Sequence, residues 1–271
     1  MITNRRIYKL PNIAKIMAKP DYKITRGRTR RTKMQIFHED RNLTFLFPAK
    51  GPERYVDIQE QITKDRLKAP NFAETVSLVY TAYKNSNEPE FKNVLDILNK
   101  EGLWAFTGNL YIPKGKGDYQ NGVIIQDNPQ IKNGRIFMDE SELVKKLEAN
   151  DKSVRFVPFG FKIGEHSVDE LEKNAYVIGL AGEEGAENLA EMAGRYKHIP
   201  DVYSFYGEVN EKLNSFDEVN EKITRVSALD GNGDGNRLCV IGNFVGSGGG
   251  HAFGVSSSAD EGSASAPENK H

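Results

Sequence analysis

Three loops of the 271-residue chain hold residues with the chemistry of a site. The first, PFGFKIGEH, sets Glu165 and His166 in a Gly-bearing loop just ahead of a helix start at Ser167. A histidine titrating near neutrality suits general acid–base work, and loops at strand ends expose such groups. No serine or cysteine is identifiably paired with it, and Cys239 falls inside an apolar, strand-like run. The second, DGNGDG, places oxygen donors at Asp230, Asn232 and Asp234. That spacing matches the first half of a calcium loop and suits a weak divalent-cation site. Ile241 stands where the bidentate acid is required, which excludes an EF-hand. The ordinary reading of the same residues is a tight loop, because Asp-Gly and Asn-Gly supply the positive φ that hairpins need. The third, GSGGGH, ends on His251. Its amides can approach a ligand closely, although the entropy of ordering so many glycines favours a plain connection.

These loops belong to a chain whose charge is unevenly spread. The formal net charge is -1, yet residues 1–34 hold eleven Lys or Arg against one acid, Asp21, leaving about +10 on this arm and about -11 on the rest. Arg26, Arg28, Arg30, Arg31 and Lys33 are its densest cluster. Lysines and arginines that neutralise phosphates gain affinity by releasing counterions, so nucleic acid is a natural partner, with Tyr8 and Tyr22 available to stack. Docking of the arm on the acidic body, or on an acidic protein, uses the same charge.

Several classes fall away. One cysteine excludes an intrachain disulfide framework and a Cys-based zinc site within the chain. The histidines show no HxH or HExxH spacing. No apolar run approaches the roughly 20 residues that span a bilayer, and the N-terminus lacks the apolar core of a signal peptide, so a cytoplasmic protein without membrane contact is expected. Glycines 179, 182 and 185 stand at G-x-x-G-x-x-G, not at the dinucleotide-binding G-x-G-x-x-G, and Glu183, Glu184 and Glu187 would repel a phosphate there.

The elements that must position these loops form an α+β body over residues 35–255, with a mixed sheet, a three-helix layer and a C-terminal β meander, between the basic arm (1–34) and a disordered tail (256–271). Met34–Phe37 and Leu43–Phe47 read as a hairpin. Helices follow over 57–67, from the Asn71 cap with Glu74 in capping-box spacing, and from Pro89 to a stop at Gly102. Strands are predicted at 103–112 and 122–126. A βαβαβ alternation then runs through a strand at 154–159, a helix capped by Ser167, an apolar strand at 175–181, a helix at 185–196 and a strand at 202–206, which favours parallel pairing. The two EVNEK copies at 208 and 218 read as a surface loop or weak helix.

The stretches TVSLVYTAY, EFKNVLDILNKEGLWAFTGNLY, KIGEHSVDEL and the closing RVSAL and HAFGV resemble a family of uncharacterised archaeal proteins, over roughly residues 68–255. The resemblance implies no activity. VSAL, RLCVIGNF and AFGV are also similar to the closing strands of C-type-lectin-like folds, without the paired cysteines of typical lectin domains.

Together these features point to a non-enzymatic binding protein whose arm contacts nucleic acid or an acidic partner. The rival reading is an enzyme, or a small-ligand or carbohydrate-binding domain, with a pocket near Glu165, His166 and the C-terminal Gly-rich loops.

Overall fold

The computed structural model describes residues 22–27, 31–117, 119, 121–204 and 221–256. In chain order these form β1 (Tyr22–Arg26), β2 (Thr32–His38), β3 (Arg41–Phe47), β4 (Lys50–Glu53), α1 (Tyr55–Lys64), β5 (Leu67–Lys68), α2 (Phe72–Lys84) and α3 (Pro89–Lys100). There follow β6 (Leu103–Ile112), β7 (Gly122–Asp127), β8 (Gln130–Lys132), β9 (Arg135–Phe137), α4 (Glu140–Glu148), β10 (Val154–Pro158), β11 (Gly164–Glu165) and α5 (Val168–Glu172). The last are α6 (Ala175–Ala193), β12 (Asp201–Tyr203), β13 (Ile223–Asp230), β14 (Cys239–Phe244), β15 (Gly250–Ala252) and β16 (Val255–Ser256).

The fold is α+β. A nine-stranded mixed sheet runs β10-β7-β6-β13-β14-β12-β11, with β15 paired to both β6 and β4. Only β12–β14 and β15–β6 are parallel among its pairs. Strand β6 is its spine, and all ten of its residues are buried. Alternate side chains serve opposite faces, as the two-residue period of a strand requires. Leu103, Ala105 and Tyr111 join one core with α2, α3 and α6, while Trp104 and Phe106 join another with α1. The helical layer is therefore α2, α3 and α6. The first predicted helix crosses to the other face, where Tyr55, Ile58 and Ile62 are fully buried.

A second, five-stranded sheet has the order β1-β2-β3-β16-β5. The end of what reads as an arm is thus part of a sheet, since β1 pairs antiparallel with β2 from Tyr22↔Ile36 to Arg26↔Thr32. Residues 1–21, Arg28, Arg30, the tail beyond 256 and both EVNEK copies apart from Glu221 and Lys222 lie outside the described residues.

Two expectations need correction. The run 175–181 is helix and not strand. Asn174 caps it by accepting from the amides of Tyr176 and Val177, and the helix continues to Ala193 through a break at Gly182 (φ 75°, ψ 170°). The βαβαβ alternation is therefore absent, and β10 pairs antiparallel with β7. The closing strands are not a simple meander either. Strands β13 and β14 form an antiparallel pair, but β15 crosses to β6 and β4, and β16 joins the other sheet.

Candidate functional site

The residues singled out in the sequence are mostly committed to structural bonds. His166 is fully buried at the entry to α5. Its Nδ1 is 2.6 Å from the Gly164 carbonyl and its Nε2 is 2.8 Å from Asn174 Nδ2, whose NH2 also reaches the Lys162 carbonyl at 2.8 Å. An amide NH2 only donates, so Nε2 accepts and Nδ1 carries the proton. Burial pushes this histidine's pKa down and keeps the ring neutral. Glu165 is held by Arg237 Nη2 at 2.8 Å, and the same guanidinium reaches Asp201 at 3.0 Å.

His251 does not meet them. It sits in β15 against Leu103 of β6, whereas His166 follows β11. Strands β6, β13, β14 and β12 lie between, about 24 Å across the sheet at ~4.8 Å per strand. A composite pocket from Glu165, His166 and the terminal loops is not assembled. A cavity of about 650 Å3 does open beside His166, lined by Phe159, Phe161, Lys162, Lys173 and Asn174, but both imidazole nitrogens are already spent.

The DGNGDG loop is a pair of Asx turns. Asp230 Oδ1 accepts from the Asn232 amide at 3.0 Å, and Asp234 Oδ1 from the Asn236 amide at 2.9 Å. The Gly231 amide donates to the Leu98 carbonyl at 2.8 Å, so the loop covers the last turn of α3. Burial raises the Asp230 pKa, which disfavours its charged form. Among the described residues no group of three His, Cys, Asp or Glu side chains is placed to hold a metal ion. Cys239 is buried strand filling, its thiol pushed up to about 12 by burial, which removes the thiolate a nucleophile needs.

The arm residues divide by role. Arg26 binds Glu90 through Nε (2.8 Å) and Nη2 (2.7 Å), and reaches Glu88 at 2.8 Å. Arg31 pairs with Asp65 at 2.8 Å. These contacts pin the hairpin to α3 and to the end of α1. Tyr22 turns inward, edge-on to Phe91 with ring centroids 5.1 Å apart, and is not free to stack on a base. Lys23 and Lys33 remain exposed. The register puts them on the outer face, in cross-strand rows Lys23–Gln35–Thr44 and Thr25–Lys33–Leu46. Phe37, 52% exposed, lies on that same face opposite Asn42.

The structure also assembles a site that no single motif announces. A cavity of about 560 Å3 lies where the β2–β3 turn, the start of α2, the end of β7, the α4–β10 link and the α6 break converge. Asp127 lines it, and the buried carboxylate of Glu74 binds two of its lining cations. Glu74, 0% exposed, accepts from Arg41 Nη2 (2.9 Å) and Lys68 Nζ (2.6 Å), and its other oxygen closes the α2 capping box on the Asn71 amide. Asp127 accepts the Arg155 fork at 2.8 and 2.9 Å and the Thr107 hydroxyl at 3.1 Å. Arg155 Nε also donates to the Gly179 carbonyl at 2.6 Å. His38, on the cavity wall, pairs with the Ser77 hydroxyl at 2.8 Å, and burial lowers its pKa.

No family model, curated protein or solved structure matches this chain. Its function has to be read from the side chains themselves.

Three buried histidines, 38, 166 and 251, all have depressed pKa values, with burial the leading cause in each. Between the ordinary histidine pKa of about 6.5 and the lower folded values, the unfolded chain binds more protons than the folded one. Stability is therefore complete above that window and falls as pH drops through it. Urea unfolding at pH values from 7.5 to 5 should show stability declining by no more than about 1.4 kcal/mol per pH unit per histidine. Glu170 titrates below this window, at about 2, through its Lys162 and Ser167 bonds. A flat profile from pH 7 to 5 would contradict neutral burial of these rings.

Proposed function

We propose that the protein is a non-enzymatic binding protein that contacts nucleic acid through its basic N-terminal segment. The observation that carries this reading is the division of labour within the hairpin. Arg26 and Arg31 are spent on docking it, while Lys23 and Lys33 face solvent from a sheet surface that also presents Phe37. Cations near an exposed aromatic ring suit a single strand, whose phosphates pair with charge and whose bases stack. Arg5, Arg6, Lys9, Lys15, Lys19, Arg28 and Arg30 add seven further cations in the same part of the chain. The side chains with catalytic potential in the sequence support a binding role too, because His166, Glu165 and Cys239 are each engaged in structural bonds or core packing.

Fluorescence anisotropy of the full chain with single- and double-stranded oligonucleotides, across a salt series, tests this. Log affinity should fall linearly with log salt, and removing residues 1–21 should abolish most of the binding. Lys23→Ala with Lys33→Ala should reduce the slope by about 1.4, at ~0.7 per phosphate for single strands. No binding at low salt, or binding indifferent to salt, defeats the reading. Salt-sensitive binding to an acidic polypeptide but not to nucleic acid would move the arm to a protein partner.

A further inference from the structure

The cavity between the β2–β3 turn, α2 and the α6 break is built with more hydrogen-bond donors than its own acceptors use. Both oxygens of Glu74 are filled from inside the protein, and so are both of Asp127, which is 13% exposed. The cations facing the opening are not filled. Arg41 spends one Nη on Glu74 and keeps its Nε and other Nη, while Lys68 spends one of three ammonium hydrogens. Lys152 pairs with no carboxylate among the described residues. Neutralising one buried carboxylate requires one cation, yet Glu74 has two, so an unspent positive charge is fixed above it.

The backbone adds to this. In the first turn of α2 the Phe72 amide goes to the Thr107 hydroxyl and the Glu74 amide to the Asn71 side chain, but the amide of Ala73 between them, a residue of the cavity wall, takes no acceptor among the described residues. On the opposite wall Gly182 leaves the helix with φ 75° and ψ 170°, a conformation open essentially only to glycine, and no side chain projects from it into the space. Glu39 on the cavity wall, and Glu183 and Glu184 next to Gly182, are exposed, as Arg41, Lys68 and Lys152 are, so solvent screens both signs alike and the site's preference rests on its unfilled donors. The volume of about 560 Å3 lies within the range of small-ligand sites and exceeds what one oxyanion fills.

We propose that this cavity binds a phosphoryl group carried on a larger molecule, with the oxyanion held by Arg41, Lys68, Lys152 and the Ala73 amide. The remainder of the molecule lies over Gly182. The phosphoryl group has two sources, a free phosphorylated small molecule or the phosphorylated end of a nucleic acid strand. This site is independent of the arm, and its failure leaves the arm's salt-dependent binding as it stands.

The test is an amide-resolved NMR titration of the full chain with inorganic phosphate, following Ala73, Asn128, Ser153 and Gly182 on the cavity wall. Saturable shifts confined to these amides are expected. Lys152→Gln should weaken them about tenfold and Arg41→Gln with Lys152→Gln about a hundredfold, as the loss of one and two charge-assisted hydrogen bonds predicts. Lys68 still neutralises Glu74 in both variants, and an unchanged unfolding midpoint would confirm that the fold is intact. No saturable shift, or equal affinity in the double variant, overturns the proposal. Parallel titrations with a short 5′-phosphorylated oligonucleotide and its 5′-hydroxyl counterpart separate the sources. A cavity response to the phosphorylated strand at lower concentration than to inorganic phosphate assigns the site to strand ends, and the reverse assigns it to a free small molecule. An equal cavity response to the hydroxyl-ended strand overturns recognition of the phosphoryl group.

Discussion

Gly242→Ala is expected to destabilise the protein by about 3 kcal/mol, measured as a lowered urea midpoint with an unchanged slope. A methyl group on Gly242, in β14, would lie 1.6 Å from Tyr176 Oη and 2.7 Å from its Cζ. Tyr176 cannot easily yield. Its ring is fully buried and stacked on Phe161 with centroids 4.8 Å apart. Its hydroxyl donates to Asn109 Oδ1 at 2.8 Å and lies 3.0 Å from Tyr111 Oη, which donates to the Gly242 carbonyl at 2.9 Å. Asn109 Nδ2 in turn reaches the Ser227 hydroxyl at 2.8 Å. This buried polar chain crosses β6, β13, β14 and α6, and burial raises the Tyr176 pKa so that its phenol remains a donor. Tyr176→Phe alone should cost about 1–2 kcal/mol, because it strands Asn109 Oδ1 in the core. In that background Gly242→Ala meets only a ring carbon and should cost less, giving a coupling of about 1 kcal/mol or more in the double-mutant cycle. Strict additivity would show that the glycine is not there to admit the phenol.

Much of the fold was legible wherever local chemistry and tertiary packing agree. The Asn71 capping box, Pro89 at the start of α3 and the alternation of β2 and β3 all predict their elements, and the structure bears each out. The stretch 175–181 was misread for a physical reason. AYVIGLA is apolar on every side, because α6 is buried between α2 and β10, so no helical period appears in seven residues. The Asn174 cap was the available signal. Strand β1 was hidden by its own charge, since Lys23 and Arg26 make a half-buried edge strand look like a solvated arm.

The site was less legible. Loops rich in Asp, Asn and Gly advertise cation binding and turn formation with the same letters, and only the partners distinguish them. At Asp230 and Asp234 the partners are backbone amides two residues on. The phosphoryl cavity draws Arg41, Lys68, Asp127, Lys152 and Gly182 from five separate segments. Its only local mark was the glycine at 182, whose neighbours Glu183 and Glu184 argued against a phosphate while the cations that favour one lay elsewhere in the sequence.

Arg155→Met should lower stability by about 2 kcal/mol, toward the low end for a broken buried pair because the arginine is 30% exposed. Four bonds are lost at once. Two are the fork to Asp127, one goes to the Lys152 carbonyl, and the fourth reaches the Gly179 carbonyl just ahead of the break in α6 at Gly182. Most of the cost arises from the carboxylate left behind, since Asp127 would keep only the Thr107 hydroxyl. Asp127→Asn should therefore recover about half of the loss when added to Arg155→Met, although alone it weakens the wild-type pair. Arg155→Lys should recover little, because an ammonium cannot span Asp127 and Gly179 together. Hydrogen exchange gives the local readout. Amides of residues 175–181 should exchange faster in Arg155→Met, while those of 183–193, held by α2 and the core, should follow only the global change. If both halves of α6 respond alike, or if Asp127→Asn brings no recovery, Arg155 is not the tether that holds the broken helix to the sheet.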